Sequence, residues 1–200
     1  MKTLSIIALA GLATVATANP YLTRNTAYTG HTSVDRSNYV RGTYVFSFDD
    51  AHWDLNLSPN NTVFSIDLNA ALGGLAGNDA FVAGIGWDIN LETVGGSWLD
   101  EAAYDFAGQI FLTPAAGNSA PGAGNFNSPV VILADIPLPD IQAAGGILTI
   151  ELFESFDDVA GAIDAFASGS LTLVVDYKVP TPAGLAVLGL GGLAAARRRR

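Results

Sequence analysis

The chain reads as an all-β protein, an antiparallel β-sandwich of jelly-roll-like form. Apolar residues recur at every second position in short runs, as strands with one buried face require. Gly, Asn, Pro and Asp separate those runs, where a chain must turn. Polar residues interleave with the apolar ones, so each strand keeps a solvated face, which suits antiparallel sheets and not a parallel sheet covered on both sides. Two such sheets packed face to face make a sandwich.

Taken in order, Thr43–Phe48 places Tyr44, Phe46 and Phe48 on one face. Thr62–Asn69 turns Phe64, Ile66 and Leu68 inward and Ser65, Asp67 and Asn69 outward. Phe81–Thr93 alternates Phe81, Ala83, Ile85, Trp87, Ile89 and Leu91 with Asp88, Asn90 and Glu92 between them. Tyr104–Leu112 presents Tyr104, Phe106, Ile110 and Leu112, and Val130–Ala134 is a short apolar run. Ile147–Phe153 alternates through Leu148, Ile150 and Leu152, and Leu171–Tyr177 through Leu171, Leu173, Val175 and Tyr177. Those are seven strands, with Ala27–Val34 as a candidate eighth. Pro114–Pro129 reads as a long Gly/Asn/Pro loop, and Asp157–Ala167 as a helix or a loop. The expected core is Phe64, Ile66, Leu68, Ile85, Trp87, Ile89, Ile150, Leu152, Leu173 and Val175.

The 200 residues suit one domain, and the absence of cysteine removes disulfides, thiolate zinc sites and cysteine nucleophiles. Residues 19–178 hold all 19 acidic residues against Arg24, Arg36, Arg41 and Lys178, a balance of −15. A body this acidic repels phosphate backbones, which excludes nucleic acid as a partner.

The ends differ in kind from the body. In residues 1–18, Lys2 precedes an apolar run of 12 residues from Leu4 to Val15, and small residues follow at Ala16 and Ala18. That order predicts a signal peptide cleaved before Asn19. At the other end Val179-Pro180-Thr181-Pro182 stops any strand, since proline lacks the N–H donor. Residues 183–196 are 14 uncharged apolar or glycine residues, closed by Arg197, Arg198, Arg199 and Arg200. A helix of that length is about 21 Å long, short of a ~30 Å hydrocarbon core. No polar face interrupts 183–196, which argues against a soluble amphipathic helix. The arginines favour the cytoplasmic side, leaving the body outside.

Residues 179–200 resemble the PEP-CTERM sorting tail of exported bacterial proteins: a Pro-x-Pro element, a short glycine-rich hydrophobic stretch and a terminal arginine cluster, in that order. Thr181 stands where the name-giving motif has Glu, so the resemblance is to the VPTP-type variant. The resemblance implies processing by an exosortase-like membrane enzyme, transient inner-membrane anchoring through the tail, and a cell-envelope or matrix destination with an association with exopolysaccharide. The run Gly86-Trp87-Asp88 and Gly96-Ser97-Trp98-Leu99-Asp100-Glu101-Ala102 is similar to a sandwich domain found before such tails, a similarity that implies no function.

Signs of catalysis are sparse. His31 and His52 sit in no recognisable motif, Gly95-Gly96-Ser97-Trp98-Leu99 lacks the last glycine of a nucleophile elbow, and no phosphate-cradling loop is present. Paired carboxylates suffice for glycoside hydrolysis, yet in so acidic a chain they arise by chance. Acidic clusters at Asp49/Asp50/Asp54, Asp100/Glu101/Asp105 and Glu154/Asp157/Asp158 raise Ca²⁺, but none has EF-hand spacing. The favoured reading of these clusters is a solvated acidic surface, with a structural Ca²⁺ as its alternative and no other cofactor. Trp53 and Trp98 are the candidate sugar-stacking rings, and Trp87 reads as core. The expectation is a non-enzymatic exported envelope or matrix protein, with a carbohydrate-binding module and a secreted hydrolase as the alternatives.

Overall fold

The computed structural model describes residues 19–30, 34–55, 58–156 and 163–180. The signal-cleavage residues Ala16 and Ala18, and Thr181, Pro182 and Arg197–Arg200 of the tail, lie outside the described residues, as does His31. Val179 and Pro180 are described and follow the last strand without regular structure.

Among the described residues ten strands form two sheets, and each pairing between these strands is antiparallel. The strands are β1 (Leu22–Arg24), β2 (Tyr39–Trp53), β3 (Val63–Asp67), β4 (Ala80–Thr93), β5 (Ala102–Phe106), β6 (Ile110–Leu112), β7 (Ala123–Ile132), β8 (Ile141–Ala143), β9 (Ile147–Glu154) and β10 (Ala165–Lys178). One sheet has the order β1-β6-β5-β9-β3; the other runs β2-β10-β4-β7, with β8 also pairing β4. The sandwich is thus as the alternation predicts. Nine of the ten expected core residues are buried, and Phe64 is half-buried against the same core. The indole of Trp53 ties the layers together: its Nε1 donates to the Ala103 carbonyl at 2.7 Å across the core, and its ring meets Tyr104 edge-on.

Several boundaries differ from the sequence expectation, each for a local reason. The run Tyr104–Leu112 is a hairpin and not one strand, because Ala107 and Gly108 both take positive φ, 53° and 70°, and turn the chain back. The outward Asn69 is buried instead. Asp67 ends β3 and accepts from the Ala70 N–H, starting a one-turn helix, α1 (Leu68–Leu72), so the period of two stops there. In β4 an extra residue at Ala83 flips the phase. Ala80 and Val82 therefore join Ile85, Trp87 and Ile89 in the core, while Phe81 turns to the other face under the Arg36 guanidinium, 4.2 Å from its ring centre.

The expected loop Pro114–Pro129 contains most of β7. This is an edge strand, bonded along one side by β4, so Asn125 and Asn127 face water while Phe126 packs inward. Pro129 falls at a register shift opposite Gly86, where no ladder donor is needed. Residues 27–30 and 34 form no strand; the first strand is instead Leu22–Arg24. Of Asp157–Ala167, residues 157–162 lie outside the described residues, and Ala165–Ala167 opens β10.

Candidate functional site

The outward face of the β2-β10-β4-β7 sheet carries ordered rows of polar side chains. Strand alternation sets the rows. On β4 the exposed residues are Asp88, Asn90 and Glu92. Across from them on β10 stand Ser170, Ser168 and Phe166, and on β7 Asn127, Asn125 and Ala123. Neighbouring strands lie about 4.8 Å apart, so these side chains meet across the ladder. Asn125 donates to Asp88 at 2.8 Å and to Asn90 at 3.1 Å, and Asn127 donates to Asn125 at 3.0 Å. The amides thereby hold one another in fixed orientations.

At the β2 side a bulge brings two carboxylates onto this face. Asp49 and Asp50 together oppose Ser168, and Asp50 has φ 52°, a conformation that costs a non-glycine residue. Gly169 makes the bulge feasible: its φ is 145°, and a Cβ there would sit 2.2 Å from the Asp88 carbonyl oxygen. The result is a groove of about 560 Å³ lined by Asp49, Asp50, Asn90, Glu92, Asn125 and Phe166 among others. A second stretch of about 490 Å³ lies along Asp88, Asn127, Ser170 and Thr172. The Phe166 ring is 37% exposed and has His52 beside it at 6.5 Å, so an apolar surface lies among the polar rows.

The sequence-predicted aromatic platforms fare differently. Trp53 is fully buried and cannot meet a ligand. Trp98 is 44% exposed but lines neither stretch of the groove. Phe166 lies in a run whose sequence suits a helix or a loop, and Asn125 and Asn127 in one that suits a loop, so alternation reveals only the outward Asp88/Asn90/Glu92 row.

The acidic clusters disperse. Asp54 turns inward and organises the following turn, accepting from Ser58 Oγ at 2.6 Å, Leu55 N–H at 2.6 Å and Asn60 Nδ2 at 2.9 Å. These bonds, that from Ser58 foremost, hold its carboxyl below the usual range. Asp100 accepts from Ser119 Oγ, Glu101 from the Trp98 N–H, and Asp105 from the Gly108 N–H. Burial pushes the Asp105 carboxyl up to about 6, with the facing Glu151 adding to the effect against the Gly108 bond. Asp157 and Asp158 lie outside the described residues. Among the described residues no three His, Cys, Asp or Glu side chains come together as metal ligands.

A buried acid pair lies at the end of the sandwich where β10 begins. Glu154 and Asp164 are both fully buried, and Ser97 Oγ lies between them, 3.4 Å from Glu154 Oε2 and 3.3 Å from Asp164 Oδ1. Burial raises the Glu154 carboxyl far above its ordinary value, reinforced by its hydrogen bond to Asp164 and the charges of Asp164 and Glu101. The two acids are in direct contact, closer than the roughly 5 Å or more that a glycosidase pair keeps, and both are buried.

No protein-family model matches this chain, and no curated protein matches it. Among solved structures, that of the infectious bursal disease virus Gt strain aligns at a TM-score of 0.33 with 18% identity, covering 71% of this chain and 37% of that one. The Gx strain aligns at 0.31 with 19% identity, over 72% and 37%. The tobacco streak virus coat protein dimer aligns at 0.25 with 7% identity, over 70% and 87%. This chain thus spans little more than a third of the length of the bursal disease virus chains.

Proposed function

We propose that this is a non-enzymatic, exported cell-envelope or extracellular-matrix protein whose sandwich associates with polysaccharide through the outer face of the β2-β10-β4-β7 sheet. The observation that supports the binding role is the groove itself. Fixed amides at Asn90, Asn125 and Asn127 and the Ser168 hydroxyl match the hydroxyls of a sugar, and Phe166 offers a face for the apolar side of a ring. A shallow, extended polar surface suits holding a polymer. The acid pair Glu154 and Asp164 is buried, so it offers no hydrolytic site to a polymer on the surface. The acidic body disfavours nucleic acid.

The export role rests on the two ends. Residues 1–18 direct secretion, and the tail detains the chain at the inner membrane until an exosortase-like enzyme acts near Val179–Pro182. The arginines Arg197–Arg200 hold the tail on the cytoplasmic side meanwhile. Mass spectrometry of the protein recovered outside the cell tests this: the mature form should begin at Asn19 and lack Arg197–Arg200. Recovery of an extracellular form that still carries Arg200 refutes the processing. For the groove, the full chain should sediment with its host's exopolysaccharide, and Phe166→Ala should abolish that association.

A further inference from the structure

We propose that the groove takes a polysaccharide bearing free amino groups, such as a β-linked glucosamine polymer, in preference to a neutral or uronic-acid chain. The inference rests on the polysaccharide-binding reading of this face and names its ligand class. Asp49, Asp50 and Glu92 line one stretch of the groove and Asp88 the next, and no Lys or Arg lines either. The cations of the described residues lie elsewhere. Arg36 pairs with Asp140 and Asp176, and Arg41 holds Asp176 through two bonds of 2.7 and 2.9 Å. Arg24 sits on β1 in the opposite sheet, and Lys178 is ten residues along β10 from Ser168, about 33 Å away.

Among the described residues no Lys or Arg neutralises these carboxylates, and a polyuronate would meet like charge along the groove. The bulge strengthens the case, because the backbone adopts a strained φ at Asp50 in the segment that places it and Asp49 on the groove. Charge alone would suit any polycation. The amide row at Asn90 and Asn125 and the exposed Phe166 ring add features that a sugar ring uses and a simple polyamine does not. Four strands at about 4.8 Å spacing give a width of about 14 Å, enough for about three sugar rings.

The test is calorimetric titration of the full chain in detergent with a glucosamine hexamer at mildly acidic pH, beside the N-acetylated hexamer, a polyuronate oligomer and oligolysine. The glucosamine hexamer should bind, and raising ionic strength from about 0.05 to about 0.5 M should weaken it at least tenfold. Asp50→Asn with Glu92→Gln should weaken it about tenfold, and Phe166→Ala should weaken it as well. Glu92→Gln alone carries the charge test if the double variant does not fold. Equal, salt-indifferent binding of the N-acetylated hexamer overturns the amine preference and leaves the polysaccharide reading standing. Tighter binding of the polyuronate overturns the charge argument. Equal binding of oligolysine, with Phe166→Ala without effect, makes the face an ion exchanger and overturns the proposal. Binding of no sugar at all removes both readings.

Discussion

Replacing Glu154 by glutamine should make the protein more stable at neutral and alkaline pH and less dependent on pH. Glu154 and Asp164 are shut off from water, and the Ser97 hydroxyl between them has one proton to donate. Two carboxylates in such a site favour sharing a proton, and burial with the Asp164 contact pushes the Glu154 carboxyl from 4.5 up to about 9. The folded state then binds a proton that the unfolded chain releases. The associated stability is complete below about pH 4.5 and is lost as pH rises towards about 9. Within that window each pH unit costs up to about 1.4 kcal/mol.

Asp105 has the same sign, but its window closes near pH 6. Between about pH 6.5 and 8.5 the loss therefore belongs to the pair and amounts to up to about 3 kcal/mol. Glutamine keeps a donor towards Asp164 without titrating. Urea unfolding of wild type and Glu154→Gln at matched pH values measures the difference, in which other titrating groups cancel. The gap should widen in favour of the variant by about 2–3 kcal/mol across that range. Curves that stay parallel within about 0.5 kcal/mol would show that the pair holds no proton there, and the reasoning would fail.

Three further outcomes follow from the core and the bulge. Trp87→Ala should lower unfolding free energy by about 3–5 kcal/mol in denaturant titration, since the indole is 4% exposed and packs between the sheets. Gly169→Ala should cost about 2–4 kcal/mol, read by thermal unfolding, because the new Cβ would collide with the Asp88 carbonyl and close the bulge that positions Asp49 and Asp50. Tyr104→Phe should leave the melting temperature unchanged or raise it slightly. The Tyr104 hydroxyl is buried with no hydrogen-bond partner among the described residues, so its removal forfeits no bond; a clear drop in melting temperature would mean that the hydroxyl is satisfied.

The strands with one dry face were the legible part of the fold. In β9 and the C-terminal two-thirds of β4 and β10, a period of two places Ile85, Trp87, Ile89, Ile150, Leu152, Leu173 and Val175 inside, because each residue's direction depends only on its neighbour's along the strand. The rule stopped working where one residue was inserted or the chain turned within a run. The bulge at Ala83, the positive φ of Ala107 and Gly108, and the Asp67 cap each reset the phase over one or two residues. None has an apolar signature, so alternation could not register them.

The candidate site was legible in part for a related reason. Asp88, Asn90 and Glu92 could be placed on a solvated face from β4 alone. That Asn125, Ser168, Phe166 and Asp50 share that face depends on strand order and register, which bring together residues separated by as many as 118 positions in the chain. Trp53 shows the converse: at a strand end near acids it reads as exposable, yet its indole proton has a carbonyl waiting in the opposite sheet. The same holds for Glu154 and Asp164, whose carboxyls look like two more surface charges until the fold closes over them. Local patterning determined the fold class, most of the core and the chemistry of the two ends, because those are properties of neighbouring residues. The groove, its charge and the buried acid pair were decided by the tertiary structure, because contact across strands sets which side chains lose water and which keep it.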